Sequence, residues 1–421
     1  MNNYLKIIII LFSFIIIFIY LNYSHLIIYI NKIIWFDSLS KLLSLLNLFL
    51  LPVLLLISIN NKFVKIQWFL IIILTIINHF FFFSDNLIVF FFLFECTLIP
   101  LFMMIGIYGS RIEKIRASLY FFYYTFIGSF LLLISIFKIY YFIGSISMIY
   151  IGIIRLPLIL QVYMILSVIL AFSVKIPSIP FHIWLPQAHV EAPITGSIIL
   201  AGIMLKLGGY GIIRFMFFFR EGFIYWQPIL IIISLLSIIY GGILTIRQND
   251  IKRLIAYSSI NHMGFVTLAI FTLNKIGFIG SILIMLSHGF ISSATFLSAN
   301  FVYIRFKTRN INYIKGLFNV MPLFSFIFLL IGMANFCFPI TLNFIGEVIV
   351  LFSITFYNFS IMFVVLLGMI FGTIYTIYLI NRICFGFNIN VYVRDINRIE
   401  INQILPFLIT YLLCLNIYLF F

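Results

Sequence analysis

The chain has 421 residues, of which 65% are hydrophobic and only 8% are charged, and its mean hydropathy is +1.26. A soluble domain of this length cannot hide so much apolar surface, because part of every folded surface faces water. Its many apolar stretches of about 20 residues match a hydrocarbon layer of roughly 30 Å. They are too long, and too weakly alternating, for the strands of a barrel. The composition therefore predicts an all-α, polytopic membrane helix bundle.

The formal net charge of +15 does not form a basic face. Basic residues stand singly or in short runs between apolar segments, which the positive-inside rule explains without nucleic-acid binding. Cys96, Cys337, Cys384 and Cys414 have neither CxxC nor Cys/His ligand spacing, so the sequence predicts no metal site and no disulfide framework. The abundance of Phe (53 copies), Ile, Tyr, Asn and Lys reflects A- and T-rich codons, as in an organelle genome.

Apolar segments taken in chain order predict about 13 membrane spans. They lie at 5–22, 39–58, 66–83, 86–108, 117–141, 159–182, 194–214, 229–246, 253–272, 277–303, 318–357, 361–385 and 404–421. Segment 318–357 is counted as one long broken helix, and a short apolar run at 26–36 is a further candidate. Because no linker or low-complexity stretch interrupts the series, we expect one membrane domain.

Basic residues collect in alternate loops, as expected when those loops face the matrix or cytoplasm. These residues are Lys62, Lys65, Arg111, Lys114, Arg116, Arg247, Lys252, Arg253, Arg305, Lys307, Arg309, Lys315, Arg382, Arg394 and Arg398. The intervening loops carry almost no charge. Arg214 and Arg220 are the exception, since both fall on the side that is otherwise poor in positive charge.

Four ionisable residues stand inside apolar segments. They are Glu95 in FFLFECTLIP, Lys175 in ILAFSVKIPSIP, Lys206 in ILAGIMLKLGGYG and Glu347 in ITLNFIGEVIV. A charge at the membrane centre costs at least about 2.5–3.5 kcal/mol on insertion scales, which favours a functional role or pairing. A buried Glu–Lys pair can also act as structural glue between helices. Four such residues of mixed sign argue for function, because structural glue rarely needs more than one pair.

Two histidines, His262 in SSINHMGF and His288 in LSHGFISS, also fall inside helical segments. Imidazole titrates near neutral pH, which suits a proton relay. Taken singly, each histidine is better explained as a buried side chain with satisfied hydrogen bonds. Lys138 lies near a helix end, where lysine extends toward the headgroups, and His79 has no charged neighbours along the chain. Neither of these two receives a role.

Two helices are predicted to be discontinuous, because proline removes a backbone donor and interrupts a helix. Pro177 and Pro180 follow Lys175, and Pro339 precedes Glu347. Broken helices at corresponding positions of two halves are typical of the ion sites of transporters built from inverted repeats. A lysine beside a glutamate keeps its proton while the glutamate is charged and releases it more readily once the glutamate is neutral. Alternating signs along a hydrated path can therefore pass a proton.

Helix order divides the chain into three parts. We expect N-terminal helices over 1–65, a proton-translocating core over 66–385, and a C-terminal loop with the last helix over 386–421. Within the core, two antiporter-like repeats are predicted at about 66–214 and 229–385. The repeats are inferred from the order of helices, since the halves have no strong internal sequence identity.

The residues singled out above lie in long motifs that resemble the chain 4 family of NADH–ubiquinone oxidoreductases, the antiporter-like membrane subunits of respiratory complex I. The resemblance covers roughly residues 86–385 in family order. It rests on Leu170–Arg214 and on FFLFECTLIP, RQNDIKRLIAYSSINHMGF, MLSHGFISSATFLSANFVY and ITLNFIGE. The HVEAP motif, Lys206 in KLGGYG and a glutamate in the second broken helix are similar to chain 4 rather than to the related chain 5. The N-terminal part looks shorter than that of the family by about one helix.

The resemblance implies a proton relay made of Glu95, Lys175, Lys206, His262, His288 and Glu347. In such a relay Glu95 and Lys175 form an inter-helix ion pair, and the two histidines line the path. Lys206 is its central residue and Glu347 its terminal gate. The resemblance assigns no cofactor or metal to this chain, since FMN, iron–sulfur clusters and ubiquinone are expected in other subunits.

The function implied is that of a proton-translocating membrane-arm subunit of complex I, a multi-pass protein of the mitochondrial inner membrane with basic loops on the matrix side. Such a subunit belongs to a translocase and performs no redox catalysis itself. Its expected partners are other membrane-arm subunits, especially neighbouring antiporter-like chains, and lipids. Two alternatives stay open: an Mrp-type cation/proton antiporter subunit with the same fold and charges, and a structural subunit that has lost pumping. The complete charged set argues against the second alternative.

Overall fold

The computed structural model describes residues 37–58, 63–109, 111–154, 156–339 and 341–386. Within these ranges the chain is helical apart from turns and short connections, which confirms the predicted all-α fold. The predicted spans at 5–22 and 404–421 and the apolar run at 26–36 lie outside the described residues. The total of about 13 spans therefore stays a prediction.

The helices follow one another with short connections. In chain order they are α1 (Ser38–Ser58), α2 (Val64–Phe83), α3 (Leu87–Cys96), α4 (Leu98–Tyr108), α5 (Lys114–Ile143), α6 (Met148–Ile153), α7 (Leu158–Lys175), α8 (Trp184–Glu191), α9 (Ile194–Ile199), α10 (Leu205–Phe218), α11 (Arg220–Ile246), α12 (Ile251–Phe271), α13 (Lys275–Phe306), α14 (Leu317–Val320), α15 (Pro322–Asn335), α16 (Leu342–Tyr357) and α17 (Phe359–Cys384). A π-helical segment, Leu200–Met204, joins α9 to α10.

Ten helical stretches of the described chain are long and apolar enough to cross a membrane. They are α1, α2, α3 with α4, α5, α7, α9 with α10, α11, α12, α13 and α17. Each lies on a predicted apolar segment, so the polytopic membrane helix bundle is confirmed. One start is wrong, because α11 begins at Arg220 and not at 229. Pro228 stands inside this helix, as proline can in a membrane helix when other groups satisfy the freed carbonyl.

Both predicted discontinuities are present. α7 ends at Lys175, two residues before Pro177, so the predicted segment 159–182 is helical over a shorter range than expected. The long segment 318–357 separates into α14, α15 and α16, and the break after α15 contains Pro339. In both places proline removes the donor that a continuing helix would need.

The structure has one further break that the apolar pattern concealed. The predicted span 86–108 is two helices, α3 and α4, separated at Thr97. Pro100 lies in the first turn of α4, a position where its missing N–H leaves no helical bond unmade. The proline was visible in the sequence, but an unbroken run of apolar residues on both sides hid its effect.

Contacts divide the chain into two compact units. The first unit contains the described residues up to Pro177 together with Glu191–Gly196 and Ile203–Pro228. Its interior is a cluster of aromatic rings in which Phe90 packs against Phe94, Phe172 and Phe215, with centroid separations of 5.9–6.5 Å. Large rings from α3, α7 and α10 therefore fill this core.

The second unit contains Ser178–Val190, Ser197–Gly202 and the described residues from Ile229 onward. Of its central helices, α12 is almost entirely buried and α13 is largely buried, and small residues allow their neighbours to approach closely. A Cβ added to Gly346 of α16 would lie only 2.7 Å from Ile284 of α13. The predicted repeat limits, 66–214 and 229–385, stay a prediction.

Candidate functional site

Lys175 is the last residue of α7 and is buried in the first unit, with 2% of its surface exposed. Its Nζ atom donates to the carbonyl of Phe94 at 3.0 Å and lies 3.4 Å from the Thr97 hydroxyl. It also lies 3.2 Å from the centroid of the Phe94 ring. Because the last carbonyls of a helix have no intrahelical partner, the break after α3 supplies an acceptor for the buried ammonium.

Glu95 stands in the last turn of α3 and is half-buried. Its Oε1 atom is buried without a hydrogen-bond partner. The direct ion pair predicted between Glu95 and Lys175 is not formed, since the ion pairs of the described residues do not include it. The two charges attract each other at longer range. The carbonyl and ring of Phe94 occupy the positions next to the ammonium that a carboxylate would otherwise take.

Lys206 lies in the first turn of α10, directly after the π-helical segment Leu200–Met204, and is fully buried. Such π-helical segments are frequently found at functional sites. Gly208, two residues further on, permits α10 to touch α7, because a Cβ there would lie 2.5 Å from the side chain of Ile176. Ile176 directly follows Lys175. The glycines of KLGGYG thus bring the stretches that carry the two buried lysines together.

His262, His288 and Glu347 meet in the second unit. His262 Nδ1 lies 3.3 Å from Glu347 Oε1, and the rings of His262 and His288 are 5.6 Å apart between centroids. All three side chains are at most 3% exposed. The other ring nitrogen of His262, Nε2, lies 3.2 Å from the hydroxyl of Tyr375. His262 therefore has a polar neighbour at each ring nitrogen.

Three features of the sequence position this cluster. The break after α15 ends at Thr341, whose hydroxyl accepts a hydrogen bond from the backbone N–H of Phe344 at 3.4 Å and caps α16. Glu347 therefore lies in the second turn of a newly started helix. Gly346 beside it brings α16 against Ile284, one helical turn before His288.

A cavity of about 150 Å³ lies beside the cluster. Its polar lining comes from Asn261, His262, Asn335, Cys337, Glu347 and Thr373, and its apolar lining includes Phe265 and Phe344. A cavity of only about 10–15 Å³ can hold one water molecule, provided that polar groups line it. This cavity satisfies both conditions, so it can hold water beside Glu347 and His262.

The six predicted residues thus fall into two sets. Glu95, Lys175 and Lys206 belong to the first unit. The second unit holds His262, His288 and Glu347. Sequence reasoning missed Tyr375, Cys337 and Thr97. Thr97 and Cys337 each precede a proline by two or three residues, which was an available signal, whereas nothing distinguished Tyr375 among 24 tyrosines.

Arg214 was expected as a loop residue that breaks the charge pattern, but it lies inside α10 with 4% of its surface exposed. It forms an ion pair with Asp37 and donates to the hydroxyl of Tyr210 at 2.8 Å. Tyr210 in turn donates to the carbonyl of Phe82 at 2.6 Å. The arginine is therefore neutralised inside the first unit and does not report on loop topology.

Comparison with known proteins gives the family. Residues 84–374 match the family described as "NADH:quinone oxidoreductase/Mrp antiporter, TM". Among solved structures, a chain of "Respiratory complex I from Thermus thermophilus with bound NADH" has a TM-score of 0.81 and covers 91% of this chain and 81% of its own length. At 24% identity that likeness bears on the fold alone.

Two relatives named NADH-ubiquinone oxidoreductase chain 4 are more similar in sequence. The protein from Metridium senile is 43% identical over 378 residues, which is 89% of this chain and 77% of the relative. The protein from Chondrus crispus is 51% identical over 294 residues, and this match covers 70% of the chain and 60% of the relative. The chain therefore belongs to the NADH-ubiquinone oxidoreductase chain 4 family.

Proposed function

We propose that this chain translocates protons as a membrane-arm subunit of respiratory complex I. The observation that carries the proposal is the contact of 3.3 Å between His262 Nδ1 and Glu347 Oε1, beside a cavity of about 150 Å³. A carboxylate and an imidazole at this distance can exchange a proton, and cavity water can deliver it. The names of the relatives, NADH-ubiquinone oxidoreductase chain 4, support the assignment to this complex.

In the first unit, Lys175 would act as a charge that responds to Glu95. The ammonium is held by the Phe94 carbonyl and ring, and the carboxylate attracts it from beyond direct contact. When Glu95 takes up a proton this attraction disappears, so the ammonium gives up its proton more readily. Lys206, on the helix packed against Ile176, is the next group of this set.

In the second unit, His262 would carry the proton between its two ring nitrogens. A proton reaching Glu347 from the cavity passes to Nδ1, and the imidazolium formed releases the proton at Nε2 toward the hydroxyl of Tyr375. His288, whose ring lies next to that of His262, belongs to the same group. The two sets correspond to the repeats proposed at about 66–214 and 229–385.

The assignment also carries proposals for location and partners. The chain would lie in the mitochondrial inner membrane with its basic loops toward the matrix. It would contact other membrane-arm subunits, particularly antiporter-like chains, and lipids. FMN, iron–sulfur clusters and ubiquinone would be bound by other subunits, so this chain would contribute proton transfer and no redox step.

The test compares proton translocation with NADH oxidation in the purified complex that carries Lys206→Met or Glu347→Gln. Each change removes a proton-carrying group while keeping its approximate size. We expect translocation to fall at least about tenfold. Lys138→Met and Glu221→Gln are matched controls, because both residues are exposed in the structure, and they should leave translocation near the parent value.

Unchanged translocation at full NADH oxidation in either test variant would refute the relay. The alternative of an Mrp-type antiporter is favoured by the family description, which also names Mrp antiporters. Purification of the native assembly separates these functions. Absence of NADH-oxidising subunits from the assembly would overturn the complex I assignment and leave proton transfer to be tested on its own.

A further inference from the structure

We infer that His262, Cys337 and Glu347 form a binding site for a transition-metal dication of the zinc type. One ligand atom from each of these side chains lies within 4.8 Å of the other two. His262 and Glu347 are at most 3% exposed and Cys337 is half-buried. His262 Nδ1 is buried and makes no hydrogen bond, although it faces Glu347 Oε1 at 3.3 Å.

The geometry is close to that of a zinc site with three protein ligands. Zinc binds nitrogen, oxygen and sulfur at about 2.0–2.3 Å in a tetrahedron, which puts its ligand atoms about 3.3–3.6 Å apart. His262 and Glu347 already have this separation. Only the thiol must move closer, by about 1 Å from the upper limit of 4.8 Å.

A water molecule can take the fourth coordination position of the bound ion. All three residues line the cavity of about 150 Å³, which has room for a water molecule on the open side of a bound ion. Three protein ligands and one water are the usual arrangement when a zinc site is open rather than closed. The mixture of nitrogen, sulfur and oxygen also suits zinc better than Mg²⁺ or Ca²⁺, which prefer oxygen ligands throughout.

Two neighbouring side chains support the ligands. The Tyr375 hydroxyl contacts His262 Nε2 at 3.2 Å, which leaves Nδ1 for the ion. The Asn343 side-chain amide donates to Cys337 Sγ at 3.0 Å, and such a donor stabilises a thiolate. Partners of this kind orient metal ligands and raise their affinity. Cys337 itself has a left-handed backbone with φ of 61°, uncommon for a residue with a side chain, so the break holds it in a costly conformation.

No sequence pattern indicated this metal site. His262 lies in α12, Cys337 in the break that follows α15, and Glu347 in α16. Because the three ligands are far apart in the sequence, no short Cys/His spacing reveals them. The expectation that the scattered cysteines bind no metal is therefore revised for Cys337 alone. Cys96 is exposed and Cys384 is buried, and neither belongs to the cluster.

A bound ion would have a functional consequence, which rests on the proposed function. It would occupy Nδ1 of His262 and a carboxylate oxygen of Glu347, the two atoms between which the relay passes a proton. Zinc should then inhibit proton translocation through this chain.

The binding experiment uses the assembled complex equilibrated with Zn²⁺ alone, washed, and analysed for bound metal. Cys337→Ser should bind one ion fewer than the parent, or bind that ion about 10–100-fold more weakly, since removing a supporting partner alone costs that much. Cys96→Ser should match the parent. Equal zinc content and affinity in Cys337→Ser and the parent would overturn the site.

A second measurement needs no variant and covers the case in which Cys337→Ser does not assemble. The parent complex is treated with N-ethylmaleimide with and without Zn²⁺, and modification of each cysteine is followed by mass spectrometry. Zinc should slow the modification of Cys337 at least several-fold and Mg²⁺ should not, and Cys96, which lies outside the cluster, is the internal control. Equal modification of Cys337 with and without Zn²⁺ contradicts the proposal.

The functional arm separates this site from the relay. Translocation is measured over a range of Zn²⁺ and expressed relative to the metal-free rate of each protein, and Cys337→Ser should need about 10–100-fold more zinc for the same inhibition. Zinc binding without inhibition would support the metal site and refute the relay through His262. Loss of translocation in Glu347→Gln, together with zinc binding that does not depend on Cys337, would support the relay and refute the site.

Discussion

The two units of the chain hold their buried ionisable groups in different surroundings. In the first, the Lys175 ammonium rests on a carbonyl and an aromatic ring, and the carboxylate that balances it lies outside direct contact. In the second, His262 touches Glu347 and Tyr375 directly, beside a cavity with a polar lining. The first arrangement keeps a charge in place, whereas the second offers a proton several neighbouring acceptors.

This difference follows from the types of side chain that pack the interior of each unit. Phenylalanine rings around Phe90 pack the interior of the first unit, and the break after α3 supplies the polar contact of the Lys175 ammonium. Serine, glycine and asparagine residues on α12 and α13 allow neighbouring helices to approach closely, and they place polar side chains in the interior of the second unit. A buried charge without a direct counter-ion responds strongly to a distant one, because little solvent screens it. The first unit therefore suits a sensor of charge and the second a conductor of protons.

The largest effect should come from Lys175→Met. We expect proton translocation to fall at least about a hundredfold, because the buried ammonium group that responds to Glu95 is lost. The thermal midpoint of the complex should fall as well, because the half-buried Glu95 carboxylate loses the charge that attracts it, although uptake of a proton by Glu95 reduces this loss. The Phe94 carbonyl keeps the Thr97 hydroxyl as a donor at 2.8 Å. Translocation and the thermal midpoint of the complex are the two readings.

Lys275→Met is the control, since this lysine begins α13 and is exposed. A lower thermal midpoint with translocation preserved would identify Lys175 as structural glue. That result would remove the functional contrast between the two units.

The charges themselves could be predicted because they interrupt long apolar runs. Glu95, Lys206 and Glu347 each stand out against their neighbours, and the costs of burial make such residues conspicuous. The ends of α7 and α15 could also be predicted, because proline lacks the backbone N–H that a continuing helix needs. The sequence therefore revealed most places where a charge or a proline interrupts an apolar helix, but it did not reveal the burial of Arg214 or the break at Thr97.

The contacts that these residues make with other parts of the chain could not be predicted. Tyr375 meets His262 only because α17 packs beside α12 in the second unit, and no local pattern encodes that meeting. The ion pair expected for Glu95 and Lys175 was wrong in detail, since the break at Thr97 turned a backbone carbonyl toward the lysine. Side-chain partners depend on tertiary packing, so they lay beyond the reach of periodicity and composition.

A second, smaller effect is expected from Gly208→Ala in the first unit. The added Cβ would lie 2.5 Å from the Ile176 side chain and 3.3 Å from its backbone nitrogen, so the residue next to Lys175 must move. Overpacking of this kind destabilises by about 1–3 kcal/mol. Gly106→Ala is the matched control, because a Cβ there meets nothing within 4 Å.

Both glycine variants are compared by thermal midpoint and by translocation. We expect Gly208→Ala to lower both and Gly106→Ala to change neither measurably. If the two variants behaved alike, the position of Lys175 would not depend on the close approach of α10 and α7. The first unit would then tolerate displacement of its charge, contrary to the role of a sensor.

The smallest effect should come from Tyr375→Phe in the second unit, which deletes the hydroxyl at His262 Nε2 and leaves the contact with Glu347 intact. One hydrogen bond is worth about 0.5–1.5 kcal/mol net, so translocation should fall about two- to tenfold. Tyr378→Phe, a half-buried residue of the same helix, should have no effect. A full rate in Tyr375→Phe would show that protons leave His262 by another route, toward the neighbouring ring of His288. Because a conductor with several acceptors can lose one of them, this modest loss is itself the contrast with Lys175, where a single change should stop transfer.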